Sequence, residues 1–353
     1  MFLPVDHSRN ASDLPEPCSF RAEDWRILAG FWHPVAFTHE VGDGPLPVRL
    51  LDVDLVVYRA GDGYTVARDR CPHRGTKLSI GQLEGGCLVC PMHGLHFDAG
   101  GQCVKIPSLK DPNTRIPPAL NLTVYSSCVR YDLIWVCLTG EPIWPLPEWP
   151  ALESEDPDME KVLIPVGEWN ASASRAAENF MDIAHHPFVH VKTFGNPDRP
   201  VIGQHEVTET DQGLHLDFTR YEVERGWHDP EASGERLADY HYDLTYPFAK
   251  ELKTVGQDDG IICYFYDIGS PISATQTRIF QLNLTNHLYC SKEEYPEYQL
   301  FTNEEDRVCV ETQHPEALPL DLREELHIPA DRFSLAYRKA LVGKFGLGAP
   351  LSS

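Results

Sequence analysis

The sequence predicts an α+β protein with an all-β module followed by a domain of antiparallel sheet covered by helices. The 353 residues exceed the usual size of a single domain and suit about two. Residues 40–140 contain short apolar runs separated by glycine-rich turns, which is typical of an all-β module. Beyond a proline-rich stretch, longer alternating runs and two helical patterns appear, so the second half has a different architecture.

The first 39 residues are an N-terminal lead-in, and the all-β module begins at about residue 40. The turn Gly61-Asp62-Gly63 between two apolar runs predicts a hairpin, and Gly100-Gly101 predicts a second one. The expected strands of this module lie at residues 50–53, 55–59, 64–68, 95–97, 103–106, 120–125 and 133–138.

Residues 141–157 contain five prolines and predict a linker, so the second domain spans residues 158–353. Alternation at 204–225 and 239–288 predicts antiparallel strands. Helices are expected at residues 174–184, 304–312 and 332–345, the last capped by Asp331.

Composition and charge exclude several classes of protein. The formal net charge of −23 disfavours binding to nucleic acid or to an anionic membrane surface. No apolar run approaches the roughly 18 residues of a membrane span, and the first residues lack a signal-peptide pattern. We therefore expect a cytoplasmic protein, in which clustered cysteines indicate metal binding rather than disulfides.

One cluster of cysteines and histidines has the spacing of a metal site. Cys71 and His73 form a Cys-x-His pair, and Cys90 and His93 form a Cys-x-x-His pair. Two thiolates and two imidazoles from facing loops can hold a [2Fe–2S] cluster, with both cysteines on one iron and both histidines on the other. The alternative is a structural zinc site using the C-x-x-C formed by Cys87 and Cys90, which leaves the histidines without a role.

A second constellation contains three closely spaced histidines after an acidic residue. Two histidines and a carboxylate on one face of Fe(II) leave open positions for O₂ and substrate. Helical spacing favours His186 with His190, but Pro187 interrupts a continuous helix and weakens that pairing. From geometry alone the choice between His185, His186 and His190 stays open.

These segments resemble the motifs of Rieske-type non-haem iron oxygenases. Cys71-Pro72-His73-Arg74-Gly75 and Cys90-Pro91-Met92-His93-Gly94 are similar to the cluster motif. Residues 179–190 are similar to the motif N-x-x-D-x-x-H-x-x-x-x-H of the catalytic domain, and residues 305–313 to E-D-x-x-[VI]-[VIL]-E-x-Q. Three positions depart from these motifs without replacing a ligand: Met92, Leu95 and Cys309.

The resemblance implies a set of site residues. The cluster ligands would be Cys71, His73, Cys90 and His93, and the ligands of mononuclear Fe(II) would be His185, His190 and Asp306. Asp182 would be the catalytic bridge that passes an electron from the cluster of an adjacent subunit to the iron. Asn179 and Glu305 would lie beside the ligands, and Glu305 is the second choice for the carboxylate ligand.

The resemblance also implies an activity and its partners. The length is similar to that of oxygenases with one kind of subunit: vanillate O-demethylase, caffeine N-demethylase and toluenesulfonate methyl-monooxygenase. Such proteins are typically homotrimers. The sequence has no flavin or nicotinamide motif, so electrons from NAD(P)H must arrive through a separate reductase or ferredoxin. The expected reaction uses O₂ to demethylate or hydroxylate a small aromatic or heteroaromatic compound.

Three alternatives stay open at this point. The first is a ring-hydroxylating dioxygenase that forms a diol. The second is a Rieske electron carrier without enzymatic activity, which would hold only the two irons of the cluster. The third is a zinc-stabilised binding protein. The substrate pocket is expected among residues 200–300, with Tyr242, Tyr264 and Tyr266 as candidates.

Overall fold

The computed structural model describes residues 14–111, 113–154, 156–223, 234–288 and 290–348. Residues 1–13 of the predicted lead-in and residues 224–225 of a predicted strand lie outside the described residues. The chain divides into two compact units, residues 1–145 and 146–353, and each unit is described by itself.

The first unit consists mainly of short antiparallel strands, in agreement with the predicted all-β module. Its one α-helix among the described residues is α1 (Ala22–Leu28), and its strands form three sheets with the orders β1-β10-β9, β2-β3-β4 and β5-β6-β7-β8. The strands are β1 (His33–Phe37), β2 (Leu46–Leu50), β3 (Val53–Ala60), β4 (Gly63–Arg68), β5 (Gln82–Glu84), β6 (Cys87–Val89), β7 (His96–Phe97), β8 (Cys103–Lys105), β9 (Ser126–Arg130) and β10 (Leu133–Cys137).

Both predicted hairpins are present, and two strand assignments are wrong. Ala60 pairs with Gly63 across a two-residue turn in which Gly61 has φ +61°. Residues 50–53 are not one strand, because Leu51 and Asp52 form a turn with positive φ between β2 and β3. Residues 120–125 are not a strand either, since they contribute only a single bridge from Val124 to Ala67.

The second unit is built on a seven-stranded antiparallel sheet with the order β11-β17-β16-β15-β14-β13-β12. Its strands are β11 (Glu160–Trp169), β12 (Glu206–Glu209), β13 (Gly213–Val223), β14 (Glu235–Thr245), β15 (Ala249–Gly256), β16 (Ile262–Ser273) and β17 (Gln276–Thr285). Its helices are α2 (Pro150–Glu153), α3 (Ala173–Met181), α4 (His186–Val189), α5 (Tyr295–Val310) and α6 (Arg332–Phe345). None of the helices in the described ranges combines the length and apolarity of a bilayer-crossing segment.

The helix boundaries differ from the predicted ones in ways that matter for the site. Helix α3 stops at Met181 rather than continuing to residue 184, because Asp182 adopts an extended conformation. Helix α5 begins at Tyr295, nine residues before the expected start. Helix α6 has the predicted bounds, but the Asp331 side chain does not cap it and accepts a hydrogen bond from Ile328 N at 2.8 Å instead.

Candidate functional site

Two loops of the first unit share one backbone design. In the first loop Gly75 N donates to Cys71 O at 2.8 Å, and in the second Gly94 N donates to Cys90 O at 2.9 Å. Both glycines have positive φ, +76° and +68°, a conformation that glycine adopts without a steric penalty. Each turn therefore presents its cysteine and histidine side chains from a rigid, tightly closed loop.

The four predicted cluster ligands fall into two like pairs. The thiols of Cys71 and Cys90 are buried neighbours, and burial together with the adjacent thiol raises the pKa of Cys71 to about 11. The rings of His73 and His93 are exposed, with centroids 4.5 Å apart. A pair of thiols beneath a pair of imidazoles fits a [2Fe–2S] cluster with one pair on each iron. Cys87, which the zinc alternative requires, belongs to strand β6 and to neither of the two glycine turns.

The segment behind the first loop contains a positioning residue that the motif did not reveal. Asp69 is buried, and its Oδ1 accepts hydrogen bonds from Leu78 N at 2.6 Å and Ser79 N at 2.7 Å. At Gly81 an added Cβ would lie 2.3 Å from Val89 O, so only glycine fits there. These contacts fix the path of the chain between the two cluster loops.

The turn after helix α3 decides which histidines meet the downstream carboxylate. The Asp182 side chain accepts a hydrogen bond from Ala184 N at 2.7 Å, and this local bond replaces the next helical turn. Pro187 then stands in the first turn of α4, where its missing N–H costs nothing. After this kink the Nε2 atoms of His185 and His190 face each other, whereas Nε2 of His186 faces the Tyr242 hydroxyl.

Three side chains converge into a compact triangle. His185 Nε2 lies 3.2 Å from His190 Nε2 and 3.2 Å from Asp306 Oδ1, and His190 Nε2 lies 3.3 Å from the same oxygen. Ligands about 2.1 Å from one ion and at right angles to each other are about 3.0 Å apart, so the triangle fits one face of an octahedral metal. Among the described residues it is the one group of at least three such side chains whose ligand atoms all lie within 4.8 Å.

The electrostatics of the triangle favour a cation. Burial opposes protonation of His185, but the carboxylates of Asp182 and Asp306 outweigh burial and raise its pKa to about 9. Burial likewise opposes ionisation of Asp306, but the two histidines outweigh it and lower its pKa below the usual range. A positive charge held between these groups, whether protons or a metal ion, is therefore stabilised.

Two further side chains orient the ligands without joining the triangle. Glu305 Oε2 lies 3.1 Å from His190 Nδ1 and also accepts a hydrogen bond from Thr193 Oγ1 at 2.9 Å. Asn179 Nδ2 donates to Asp306 Oδ1 at 3.0 Å. Glu305 thus contacts Nδ1 of His190, whereas Nε2 of the same ring belongs to the triangle.

His186 belongs to a separate buried network that the sequence did not predict. Arg220 Nη1 donates to His186 Nδ1, so the ring proton resides on Nε2, which faces the Tyr242 hydroxyl at 3.4 Å. Burial, with the nearby positive charges of His185 and Arg220, lowers the pKa of His186 far below its usual value. His186 is therefore a neutral packing partner of the iron site. The alternation of strand β13 was the available clue, because it directs Arg220 inward.

A cavity of about 140 Å³ opens beside the triangle, between the inner face of the sheet and helices α3 and α5. Half of the residues that line it are aromatic or apolar, and the others are histidines, threonines, amides and charged residues. Of the three tyrosines predicted from the sequence, Tyr242 lines the cavity. Tyr264 and Tyr266 stand at alternate positions of strand β16 from the cavity-lining Phe265 and face the opposite side of the sheet, where Tyr266 packs on Trp149.

Comparison with known families covers both halves of this arrangement. Residues 31–125 match the Rieske [2Fe-2S] domain. Residues 169–344 match the vanillate O-demethylase oxygenase C-terminal domain. The chain belongs to the Rieske non-haem iron oxygenases. The first match includes both cluster loops, and the second includes the complete triangle and the cavity beside it.

Several characterised oxygenases are similar to this one. Methylxanthine N1-demethylase NdmA of Pseudomonas putida is 29% identical over 326 residues, which cover 90% of this chain and 90% of that protein. The solved structure of NdmA with caffeine shares its fold with a TM-score of 0.78, at 28% identity over 90% of this chain and 91% of that chain. The oxygenase component of dicamba O-demethylase of Stenotrophomonas maltophilia is 35% identical over 167 residues, 45% of this chain and 46% of that protein.

Proposed function

We propose that this oxygenase monooxygenates a small aromatic or heteroaromatic compound and that its reaction is removal of a methyl group from nitrogen or oxygen. The observation that carries the proposal is the triangle of His185, His190 and Asp306 at the wall of an aromatic cavity. Relatives named as N- and O-demethylases support demethylation over formation of a diol.

The side chains around the cavity have defined tasks in this proposal. Aromatic rings such as Phe180 and Tyr240 would pack on a planar substrate and exclude water from the reacting methyl group. Glu305 and Asn179 would keep His190 and Asp306 in their observed orientations. The buried, neutral His186 adds no charge to the space beside the ligands.

The proposed ligand sets supply the redox chemistry. With the cluster held by the two cysteines and two histidines of the first unit, and Fe(II) held by the triangle, the protein carries two electrons for the activation of O₂. A methyl group, O₂, two electrons and two protons give the hydroxymethyl compound and water. The hydroxymethyl group then leaves as formaldehyde, and nitrogen or oxygen keeps a proton.

Asp182 is proposed to connect the two redox sites. Its carboxylate lies 3.4 Å from His185 Nδ1, and it also lines a polar surface cavity with Asn179 and His327. A carboxylate that touches a ligand ring on one side and the surface on the other suits an electron bridge between subunits. The homotrimer, the separate reductase or ferredoxin and the cytoplasmic location stay predictions, as does NAD(P)H as the electron source.

A single turnover tests the proposal without the reductase. The holoprotein is fully reduced, freed of reductant, and mixed with O₂ and a panel of N-methylated heterocycles, methoxylated aromatics and their unmethylated counterparts. We expect up to one formaldehyde per active site, in equal amount with the demethylated product. Iron analysis is expected to give three irons per chain, and Asp306→Ala is expected to retain only the two of the cluster.

The other outcomes separate the alternatives. Oxygen on the ring without formaldehyde would identify a ring hydroxylase. Two irons per chain and no turnover would identify an electron carrier. Asp182→Asn should retain all three irons but transfer cluster electrons slowly, and a normal rate of cluster oxidation would exclude the bridge.

A further inference from the structure

The inner face of the sheet carries a polar row across the floor of the cavity. Gln281 on β17 is directly opposite Asp267 on β16. Asp267 is in turn directly opposite Lys250 on β15. Side chains of directly opposed strand residues share one face and have Cβ atoms about 5 Å apart. Gln281 and Asp267 both line the cavity and are 3% and 7% exposed.

A chain of amide hydrogen bonds fixes the orientation of Gln281. Asn283 Nδ2 donates to Gln299 Oε1 at 2.9 Å, and Gln299 Nε2 donates to Asn303 Oδ1 at 2.9 Å. Asn303 Nδ2 in turn donates to Gln281 Oε1 at 2.8 Å. Because each carbonyl is used by the preceding amide, the Nε2 group of Gln281 is the end of the chain. It has no hydrogen-bond partner among the residues that the structure describes, and it is a donor available to a ligand.

Asp267 supplies the complementary acceptor. Its Oδ1 binds Lys250 Nζ, whose side chain is fully buried, while its Oδ2 has no partner within the described parts of the chain. Gln281 and Asp267 therefore offer a donor and an acceptor side by side in the wall of the cavity. A buried polar pair of this kind is costly unless a ligand satisfies it.

The charges of the cavity disfavour an anionic ligand. Lys250 is neutralised by Asp267, and Arg236 donates to Glu222 at 2.7 Å and to Asp259 at 3.2 Å. Outside the triangle, the cavity lining contains one cation, Arg236, and two carboxylates, Glu222 and Asp267. Apart from the triangle and the metal it would hold, no cation of the described lining is left to pair with a carboxylate on the substrate.

The geometry points to a substrate that is a neutral heteroaromatic ring with adjacent C=O and N–H groups, a lactam edge. Gln281 Nε2 would donate to the ring carbonyl and Asp267 Oδ2 would accept from the ring N–H. Asn303 lies one helical turn before Asp306 on α5, so the same helix holds both the lactam-binding amide chain and the ligand triangle. This assignment of substrate class rests on the proposed function, and it makes Gln281 and Asp267 specificity-determining residues.

The test is equilibrium binding to the holoenzyme, measured by calorimetry without O₂ so that no turnover occurs. The probes are 1-methylquinazoline-2,4-dione, its 1,3-dimethyl counterpart without the N–H, and 4-methoxybenzoate. We expect the N–H compound to bind about tenfold more tightly than the dimethyl compound. It should also bind at least about tenfold more tightly than the benzoate. Gln281→Glu keeps an oxygen that accepts from Asn303, but its second oxygen repels the ring carbonyl instead of donating to it. The substitution should weaken binding of the N–H compound about tenfold or more.

Gln276→Glu is the matched control, since Gln276 is an exposed glutamine on the same strand. It should leave all three affinities within about twofold of the wild type. Equal binding of the benzoate and the lactam, or equal effects of the two glutamate substitutions, would overturn the assignment. Gln281-dependent lactam binding without any single-turnover product would instead leave this inference intact and refute the proposed demethylase.

Discussion

Replacement of Glu305 by alanine should weaken binding of the mononuclear metal without removing a ligand. Glu305 Oε2 contacts His190 Nδ1 at 3.1 Å and is itself held by Thr193 Oγ1 at 2.9 Å, with the carboxylate side chain only 9% exposed. The contact fixes the ring so that Nε2 points at the triangle. Loss of such a contact typically lowers metal affinity 10–100-fold, which corresponds to about 1.4–2.7 kcal/mol.

A graded series of variants separates orientation from charge. Glu305→Gln retains an oxygen that can accept from both His190 and Thr193, so it should lose less than about tenfold in affinity. Asp306→Ala removes a ligand and should abolish stoichiometric binding. The assay is competition between the protein and a chelator for Fe(II), with the visible absorption of the [2Fe–2S] cluster as an internal measure of intact protein.

Glu304→Ala is the matched control, because Glu304 is the preceding acidic residue of the same helix but pairs with Arg307 on the exposed surface. Its iron affinity should equal that of the wild type. The reasoning is refuted if Glu305→Ala binds iron as tightly as Glu304→Ala. If Glu305→Ala instead lost its mononuclear iron completely, as expected for Asp306→Ala, Glu305 would be a ligand itself, which the observed contact with His190 Nδ1 does not predict.

Three further predictions concern stability and cluster assembly. Arg338→Met leaves the buried Glu178 carboxylate without its bidentate partner and should lower the free energy of unfolding, measured in urea, by about 3–5 kcal/mol. The double variant Arg338→Met with Glu178→Met should regain most of that free energy. Burial raises the pKa of Asp217, but His215 and His241 outweigh burial and lower it. The loss of stability in Asp217→Asn should therefore be largest between about pH 4 and 6.5, where the carboxylate and the histidines are both charged. The loss should vanish in acid, where Asp217 is protonated, and well above neutrality, where the histidines are neutral. In Gly81→Ala the added Cβ would lie 2.3 Å from Val89 O, so the variant should contain less [2Fe–2S] cluster but still bind mononuclear iron. Full cluster occupancy in this variant would contradict the prediction.

The sequence determined the chemistry of the sites because ligand types and spacings are local properties. Cys71 with His73 and Cys90 with His93 needed only two tight glycine turns, and the structure places both pairs in such turns. Geometry along the chain could not choose among the three histidines. Helix α3 ends early, where the Asp182 side chain accepts a hydrogen bond from Ala184 N, and that turn rather than helical periodicity brings the Nε2 atoms of His185 and His190 together.

The sequence alone therefore determined the fold class of this oxygenase and predicted the types of its metal ligands, since alternation, turn residues and metal-binding side chains are readable from short segments. Only the tertiary structure decided how distant segments meet. It brought Asp306, on a helix more than a hundred residues away, within 3.3 Å of both ligand histidines, and it turned Glu305 toward the far side of His190. It also aligned Gln281 and Asp267 across two strands, because strand register depends on pairing between segments that no local pattern specifies.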